Sequence, residues 1–502
     1  MSDSPLDATP LTWLLPLLVL GPVALAAVAA ILPTRHRPAL GVAGAIAIAA
    51  TSGVLVAGLI RSERSELEIA LAGWDAPLGI VLRADGASAA LLAITATVGL
   101  AVTAYALGGD EVTGGPIFWP LWLSLWAALN GVYLAGDLFN TYVSLELLTV
   151  AAVALVALGG RRSAAPALRY LFVGVAGSLL FVLAVGLVYG QTGVLDYVAA
   201  ADRVEAGPVL GAVLALTLVG MAAKMALLPL HSWLPVAHPA APAAVSALLS
   251  ALVIKAALFV LWRVWFDLGG VAVGTPMRDG LALASAVAGA VAVFWGGLMA
   301  LRKRRLKEIV AYSTVAQVGY LALVLRLADP GGPDVAAAAG WAGGVLLVLS
   351  HGLAKAAMFL AAGTLAYAYG SDHLSGLRGA VTHMPMTVAA VGVAGVSLAG
   401  LPPTFGFVAK WQLLVAAIGR EDWWVLAVLL LGGLVTFAYT AAMVRATFNP
   451  PGAQDVEAPA VRVPLVLAVV PFVLALASVA FGVFSADVVA LVARAAPGGD
   501  LP

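Results

Sequence analysis

Residues 221–263, MAAKMALLPLHSWLPVAHPAAPAAVSALLSALVIKAALFVLWR, decide how the rest of the chain is read. The stretch opens as an apolar helix carrying Lys224, breaks at Pro229, Pro235, Pro239 and Pro242, and resumes as a second apolar helix carrying Lys255. A lysine at mid-membrane depth costs roughly 3 kcal/mol on insertion scales, so it marks a functional position by default. Non-helical backbone survives at that depth only where protein or a water-lined cavity satisfies it. Ionisable groups beside a broken helix are how membrane proteins build ion pathways.

Outward from this stretch the sequence stays apolar. Of 502 residues 62% are hydrophobic and 10% charged, with a mean hydropathy of +1.04. Apolar runs of about 20 residues recur from end to end, which predicts an all-α polytopic membrane protein. Zero net charge argues against nucleic acid as a partner, and the absence of cysteine excludes disulfides, thiolate metal sites, iron–sulfur clusters and a cysteine nucleophile. No metal site and no cofactor is expected. Asp3 and Asp7 precede an apolar run from Leu11 to Leu32 that is too long for a signal-peptide core, so no cleaved leader is expected.

Fourteen spans are expected, near 11–32, 38–60, 86–107, 116–134, 138–159, 167–190, 208–229, 241–264, 280–300, 308–326, 337–368, 386–417, 424–447 and 464–486. Prolines in or beside the seventh and twelfth predict that both are broken, at Pro229 and at Pro402, Pro403 and Gly406. No soluble domain fits between spans, so residues 1–502 form one membrane domain. With the N-terminus outside, the loops hold thirteen cationic residues on the cytoplasmic side. The outer side has nine, Arg61, Arg64, Arg83, Arg203, Arg263, Arg278, Arg326, Arg420 and Arg494. That bias predicts a multi-pass cell-membrane protein with both termini outside. Lys224 lies just before one break and Lys410 just after the other, five spans apart. Mirror-image placement of this kind predicts two inverted five-helix repeats, spans 4–8 (116–264) and 9–13 (280–447).

Four of the six lysines, Lys224, Lys255, Lys355 and Lys410, fall inside apolar runs, and no arginine does. A buried ammonium can release its proton near neutrality, whereas guanidinium stays charged. Snorkelling to the interface is the competing reading for any one of them. Glu146 is the lone mid-span carboxylate, with Asp137 nine residues earlier at the membrane edge. A buried carboxylate protonates or finds a cation, and Lys224 is the natural candidate, as switch or as static pair. His351 and Lys355 are four apart and share a helix face, so the histidine can bridge lysines. His231 and His238 lie at the first break and could serve the same path or none. Tyr312, Ser313, Thr314, Gln317 and Tyr320 line one span, either holding water between charges or making ordinary interhelical bonds.

The ordered motifs DLFNTYVSLELL, KMALLPLHSWLPVAHPAAPAAVSALLSALVIK, LKEIVAYSTVAQVGY, HGLAKAAMFLAAG and LAGLPPTFGFVAK resemble the antiporter-like subunits shared by respiratory complex I, membrane-bound hydrogenases and the Mrp multisubunit Na+/H+ antiporters. The resemblance runs from about residue 85 to 445 and is most similar to the branch formed by the Mrp D subunits. It implies proton-transfer roles for Glu146, Lys224, Lys255, His351, Lys355 and Lys410. It also implies H+ and Na+ as the ions and other hydrophobic subunits as partners in the bilayer. The function implied is cation/proton antiport, with no catalysis in this chain. The alternative is a proton-pumping subunit whose redox chemistry sits in a partner, and a third reading is a scaffold with static ion pairs. No long lateral helix is expected after the last span, unlike the largest complex I member.

Overall fold

The protein's structure, a computed structural model, describes residues 11–61, 66–74, 79–450 and 459–493. Their helices longer than five residues are α1 (Leu14–Ile31), α2 (Arg37–Arg61), α3 (Gly86–Ala106), α4 (Phe118–Leu134), α5 (Leu138–Ala157), α6 (Ala164–Thr192) and α7 (Pro208–Lys224). After a turn come α8 (Leu234–Ala240), α9 (Ala243–Ala272), α10 (Pro276–Arg302), α11 (Leu306–Leu327) and α12 (Asp334–Tyr369). The chain ends with α13 (Pro385–Ala399), α14 (Phe405–Gly419), α15 (Trp423–Phe448), α16 (Leu465–Val483) and α17 (Ala486–Ala493).

Eleven helical stretches among the described residues are long and apolar enough to cross a bilayer, so the count of fourteen is not reached on that criterion. The other three expected spans fall on α4, with 17 residues, and on the interrupted segments α7–α8 and α13–α14. A break divides an apolar run, and neither half then has the roughly 20 residues a full span needs.

Local sequence explains the ends of these helices. Pro208, Pro276 and Pro385 open α7, α10 and α13, where a missing N–H costs nothing. Asp85, Asp137 and Thr404 cap α3, α5 and α14 by accepting a backbone N–H three residues on. α9 and α12 form the centre and are buried throughout their apolar windows. α1, α2, α6, α15 and α16 form the rim, with Phe172, Leu434 and Phe437 turned outward as lipid-facing residues of a membrane protein.

The structure corrects the sequence reading in three further places. The loop before α3 carries an antiparallel hairpin, β1 (Glu66–Ala70) with β2 (Val81–Asp85), so the chain is nearly but not purely helical. Helix α9 is widened twice into π-helix, at Leu249–Val253 and Val264–Leu268, where unbroken helix was expected. Arg278, outside the apolar runs by sequence, is 1% exposed in the first turn of α10 and paired with Asp329.

The hairpin is tied to the membrane bundle by a backbone bond, the Gly136 N–H donating to the Val81 carbonyl at 2.8 Å, and by an ion pair. Arg263, just before the second π-turn of α9, holds Asp85 at 2.6 Å, and the Ser88 N–H donates to the same carboxylate at 2.8 Å. Burial pushes the Asp85 carboxyl up, but these two partners outweigh it and leave the group below its ordinary value.

Candidate functional site

Lys224 is the last residue of α7, and the chain turns over 225–233 before α8. The break therefore begins at the lysine itself rather than a turn after it. Ala226 takes a positive φ of 59° in the turn, and Trp233 reaches back to donate its indole N–H to the Ala223 carbonyl at 2.9 Å. That bond satisfies one of the carbonyls the break exposes. The Tyr170 ring stacks on Trp233 with centroids 4.1 Å apart, which fixes the turn against α6. Gly177 and Gly220 let α6 and α7 touch: a Cβ on Gly177 would lie 2.5 Å from the Gly220 carbonyl oxygen and 3.2 Å from Lys224 Cγ.

This packing aims Lys224 at α5. Its Nζ lies 3.7 Å from Glu146 Oε1 and donates to Thr149 Oγ1 at 2.7 Å. The predicted pair therefore meets. Its two members differ in environment: Lys224 is 6% exposed, whereas the Glu146 side chain is 28% exposed on the outer face of α5 beside Val143, Leu147 and Val150.

From α9 to α12 the structure places a continuous run of polar contacts. The π-turn at Leu249–Val253 frees the Ser250 carbonyl, which accepts from Lys255 Nζ. The Ser250 hydroxyl meets the Thr314 hydroxyl at 2.9 Å, and Thr314 donates to the Val310 carbonyl at 3.1 Å. Lys355 Nζ donates to that same carbonyl at 2.9 Å and to Ser313 Oγ. Lys255 and Lys355 are thus linked through the carbonyl and hydroxyl of Ser250, the Thr314 hydroxyl and the Val310 carbonyl, all buried. Ser250 was not singled out by sequence, because one serine in an apolar run carries no signal without the π-turn.

His351 lies one turn from Lys355, fully buried and within electrostatic reach of Lys255 and Lys355. The expected bridge between lysines is not made by direct bonds: neither ring nitrogen has a protein partner. The same holds for Ser350 Oγ and Ser397 Oγ nearer the second break. Gln317 spans part of this distance by donating to the Leu398 carbonyl at 3.3 Å.

Lys410, in the second turn of α14, reaches back to the second break, between α13 and α14. Its Nζ donates to the Ala399 carbonyl at the end of α13, 3.1 Å away, and sits 4.3 Å above the Tyr320 ring. The negative end of a helix and an aromatic face both favour an ammonium, and no carboxylate lies within 4 Å of it among the described residues. Gly400, with φ +81°, makes room, since a Cβ there would lie 2.5 Å from Lys410 Cδ. Pro402 and Pro403 lie in the break itself, and Pro229 in the first one. Gly406 does not: it is the second residue of α14, and a Cβ would strike the Ser397 carbonyl oxygen at 1.8 Å. Its place is a close approach of the two half-helices.

Other predicted positions fall outside the row. Asp137 caps α5 through the Asn140 N–H at 2.6 Å. Tyr312 lies under the Lys303 ammonium, 5.3 Å from its ring, at the surface. His231 is half-buried in the turn, while His238 is fully buried on the Phe359 ring and within reach of Lys355, Lys255 and Lys307. Lys307, counted with the loop cluster by sequence, is half-buried and donates to the Ala241 carbonyl at 3.0 Å. Of these, His238 stands beside the row as the sequence allowed, whereas Lys307, like Ser250, was not singled out by sequence.

Among known proteins, residues 135–436 match the family described as NADH:quinone oxidoreductase/Mrp antiporter, TM. The chain is 34% identical over 481 residues to NADH-quinone oxidoreductase subunit N of Desulforudis audaxviator (strain MP104C), covering 92% of this chain and 93% of that one. It is 31% identical over 371 residues to the D subunit of the Na(+)/H(+) antiporter of Alkalihalophilus pseudofirmus, covering 73% of each. In structure it is similar to a chain of the Mrp complex from Dietzia sp. DQ12-45-1b, with TM-score 0.87, 26% identity and 97% of each chain covered. A bundle of apolar helices with lysines at two helix breaks, matched over most of its length on both branches, has one home: the chain belongs to the NADH:quinone oxidoreductase/Mrp antiporter membrane-subunit family.

Proposed function

We propose that this chain is a proton-translocating subunit of a multisubunit Na+/H+ antiporter in the cell membrane. The observation that carries the reading is the buried row of cations with one carboxylate at its end. Lys224 faces Glu146, Lys255 and Lys355 share a hydrogen-bonded string, and Lys410 rests on the end of α13. Fixed charges would serve a scaffold equally well as arginine, yet all four buried positions are lysine, the cation that can give up its proton.

In this reading Glu146 and Lys224 are the switch. Paired, they hold the lysine protonated; separated, the lysine releases its proton towards Lys255. The proton passes from Lys255 to Lys355 over the Ser250, Thr314 and Ser313 hydroxyls, each taking up one proton as it releases another. Ordered water closes the gaps beside the Ser250 and Val310 carbonyls. It then reaches Lys410 past His351, Gln317 and Ser397, polar groups of the kind that ordered water links in buried sites. His238 and Lys307 lead from the row towards the Arg305–Asp372 surface pair. Residues 116–264 and 280–447 act as the two inverted units, one for each break. No cofactor, metal or nucleic acid takes part; the partners are the other hydrophobic subunits, as in the Mrp complex to which the chain is similar.

Both termini lie outside. Of the nine outer-side arginines Arg64 and Arg494 fall outside the described residues, as do Asp3 and Asp7. Five of the other seven, Arg83, Arg263, Arg278, Arg326 and Arg420, sit in ion pairs that account for their presence. Arg161, Arg162, Arg169, Arg302 and Arg304 opposite have no carboxylate within 4 Å among the described residues. That asymmetry fits a cytoplasmic face there.

The likeness to an NADH-quinone oxidoreductase subunit N keeps a second reading, proton pumping driven by a redox partner. A Na+ pulse to everted vesicles without electron donor separates the two. Antiport predicts a dye-reported pH change that is absent in Glu146→Gln. Proton movement only on addition of an electron donor would establish the pump instead.

A further inference from the structure

A groove of about 770 Å³ runs between α13, α15 and α16, away from the lysine row. Its walls are apolar, among them Val388, Gly392, Val396, Phe437, Ala441 and Val444, and it closes on Pro403 and Thr404 at the second helix break. The two wall hydroxyls are already used: Thr404 donates to the Leu401 carbonyl at 2.6 Å and Thr440 to the Thr436 carbonyl at 2.9 Å. The groove therefore offers its occupant no polar contact along its length. At its mouth it offers one: Arg445, in the last turn of α15, exposed and without an ion pair or hydrogen bond among the described residues.

We propose that this groove holds an anionic phospholipid, with its phosphate on Arg445 and one acyl tail along α15 to the break. The dimensions agree. From Phe437 to Phe448 α15 rises about 16 Å, close to the roughly 15 Å depth of one leaflet's hydrocarbon. The volume lies within the roughly 300–1,000 Å³ of ordinary ligand sites. The chemistry agrees as well. A guanidinium fork matches phosphate oxygens, whereas an apolar helix of a partner subunit in the same groove would bury Arg445 without a counter-charge, which is costly. A tail in this position touches Thr404, the cap of α14, the half-helix that carries Lys410. The lipid would then steady the break on which Lys410 rests.

The test reads lipid retention and not transport, so its outcome is independent of the function proposed above. The complex is purified through a tag on this chain, exchanged into detergent with equal phosphatidylglycerol and phosphatidylcholine, and examined by native mass spectrometry. Wild type should retain phosphatidylglycerol in preference. Arg445→Gln should lower that retention about fivefold, the effect of removing one basic residue near an anionic headgroup. Gly392→Leu should abolish binding of both lipids, because it fills the groove; a Cβ at Gly392 meets only Val444 Cγ2 at 3.7 Å, an ordinary contact, so packing survives. Equal retention of the two lipids by wild type, or unchanged retention in Arg445→Gln, overturns the proposal. So does a short-range cross-link in membranes from Gly392→Cys to another subunit, a clean experiment in a chain with no native cysteine.

Discussion

Removing Glu146 should cost more than removing Lys224, and the asymmetry follows from where the two side chains sit. At 3.7 Å, unit charges in a medium of effective dielectric about 20 attract by roughly 4.5 kcal/mol. Glu146→Ala leaves Lys224, 6% exposed, with only the Thr149 hydroxyl. A buried ammonium without its counter-ion is destabilised by about 3–5 kcal/mol or must release its proton. Lys224→Ala leaves a carboxylate that is 28% exposed and is relieved by taking up a proton, so its cost should be the smaller of the two, about 1–3 kcal/mol, the range for an unmade charged bond. The double alanine variant has no orphan charge and should be more stable than Glu146→Ala alone. The assay is thermal unfolding of the purified complex for wild type, both singles and the double, combined as a double-mutant cycle. Additive losses, or a larger loss for Lys224→Ala, would refute the pairing and the direction in which it is exposed.

Four more outcomes are expected. Thr314→Val keeps shape but removes the only hydroxyl between Ser250 and the Val310 carbonyl; transport should fall about tenfold with assembly intact, the ~1.4 kcal/mol of one lost hydrogen bond. Lys410→Arg should block transport about as fully as Lys410→Ala, because guanidinium does not deprotonate; retained flux would make the residue a fixed charge. Gly177→Ala puts a methyl 2.5 Å from the Gly220 carbonyl oxygen, so α6 and α7 must part and the coupling between Lys224 and Glu146 in the cycle above should shrink. The hairpin's tie to α9 should be steady above about pH 4 and loosen below it, since Asp85 sits below its ordinary value in the folded protein and its pairing is lost on protonation; hydrogen exchange of residues 81–85 reads this, and no change down to pH 3 would contradict it.

Legibility in the sequence followed the physics of burial. Lysines in apolar runs and prolines beside them are expensive at membrane depth, so Lys224, Lys410 and both breaks could be read directly. The pairing of Glu146 with Lys224 could be named because a lone carboxylate needs a cation. The string from Lys255 to Lys355 could not, since it depends on the π-turn that frees the Ser250 carbonyl, and local propensity does not signal that turn. Lys307 was missed, and His238 left open between path and no role, for a related reason. Their burial comes from α8 and α11 meeting in space, not from the residues beside them in the chain. The roles of Asp137 and Tyr312 became plain only when a cap and a surface cation were seen beside them.

The central claim is that the four buried lysines form one proton path through this chain, and Lys355 at its middle gives the most direct measurement. Its ammonium is fully buried and bonded only to Ser313 and the Val310 carbonyl, so Lys355→Met removes the proton carrier with little change of shape. Proton flux in proteoliposomes of the assembled complex should drop to background in this variant, although the Glu146–Lys224 pair and Lys410 are both intact. Flux at the wild-type rate from a complex of normal composition would contradict the path.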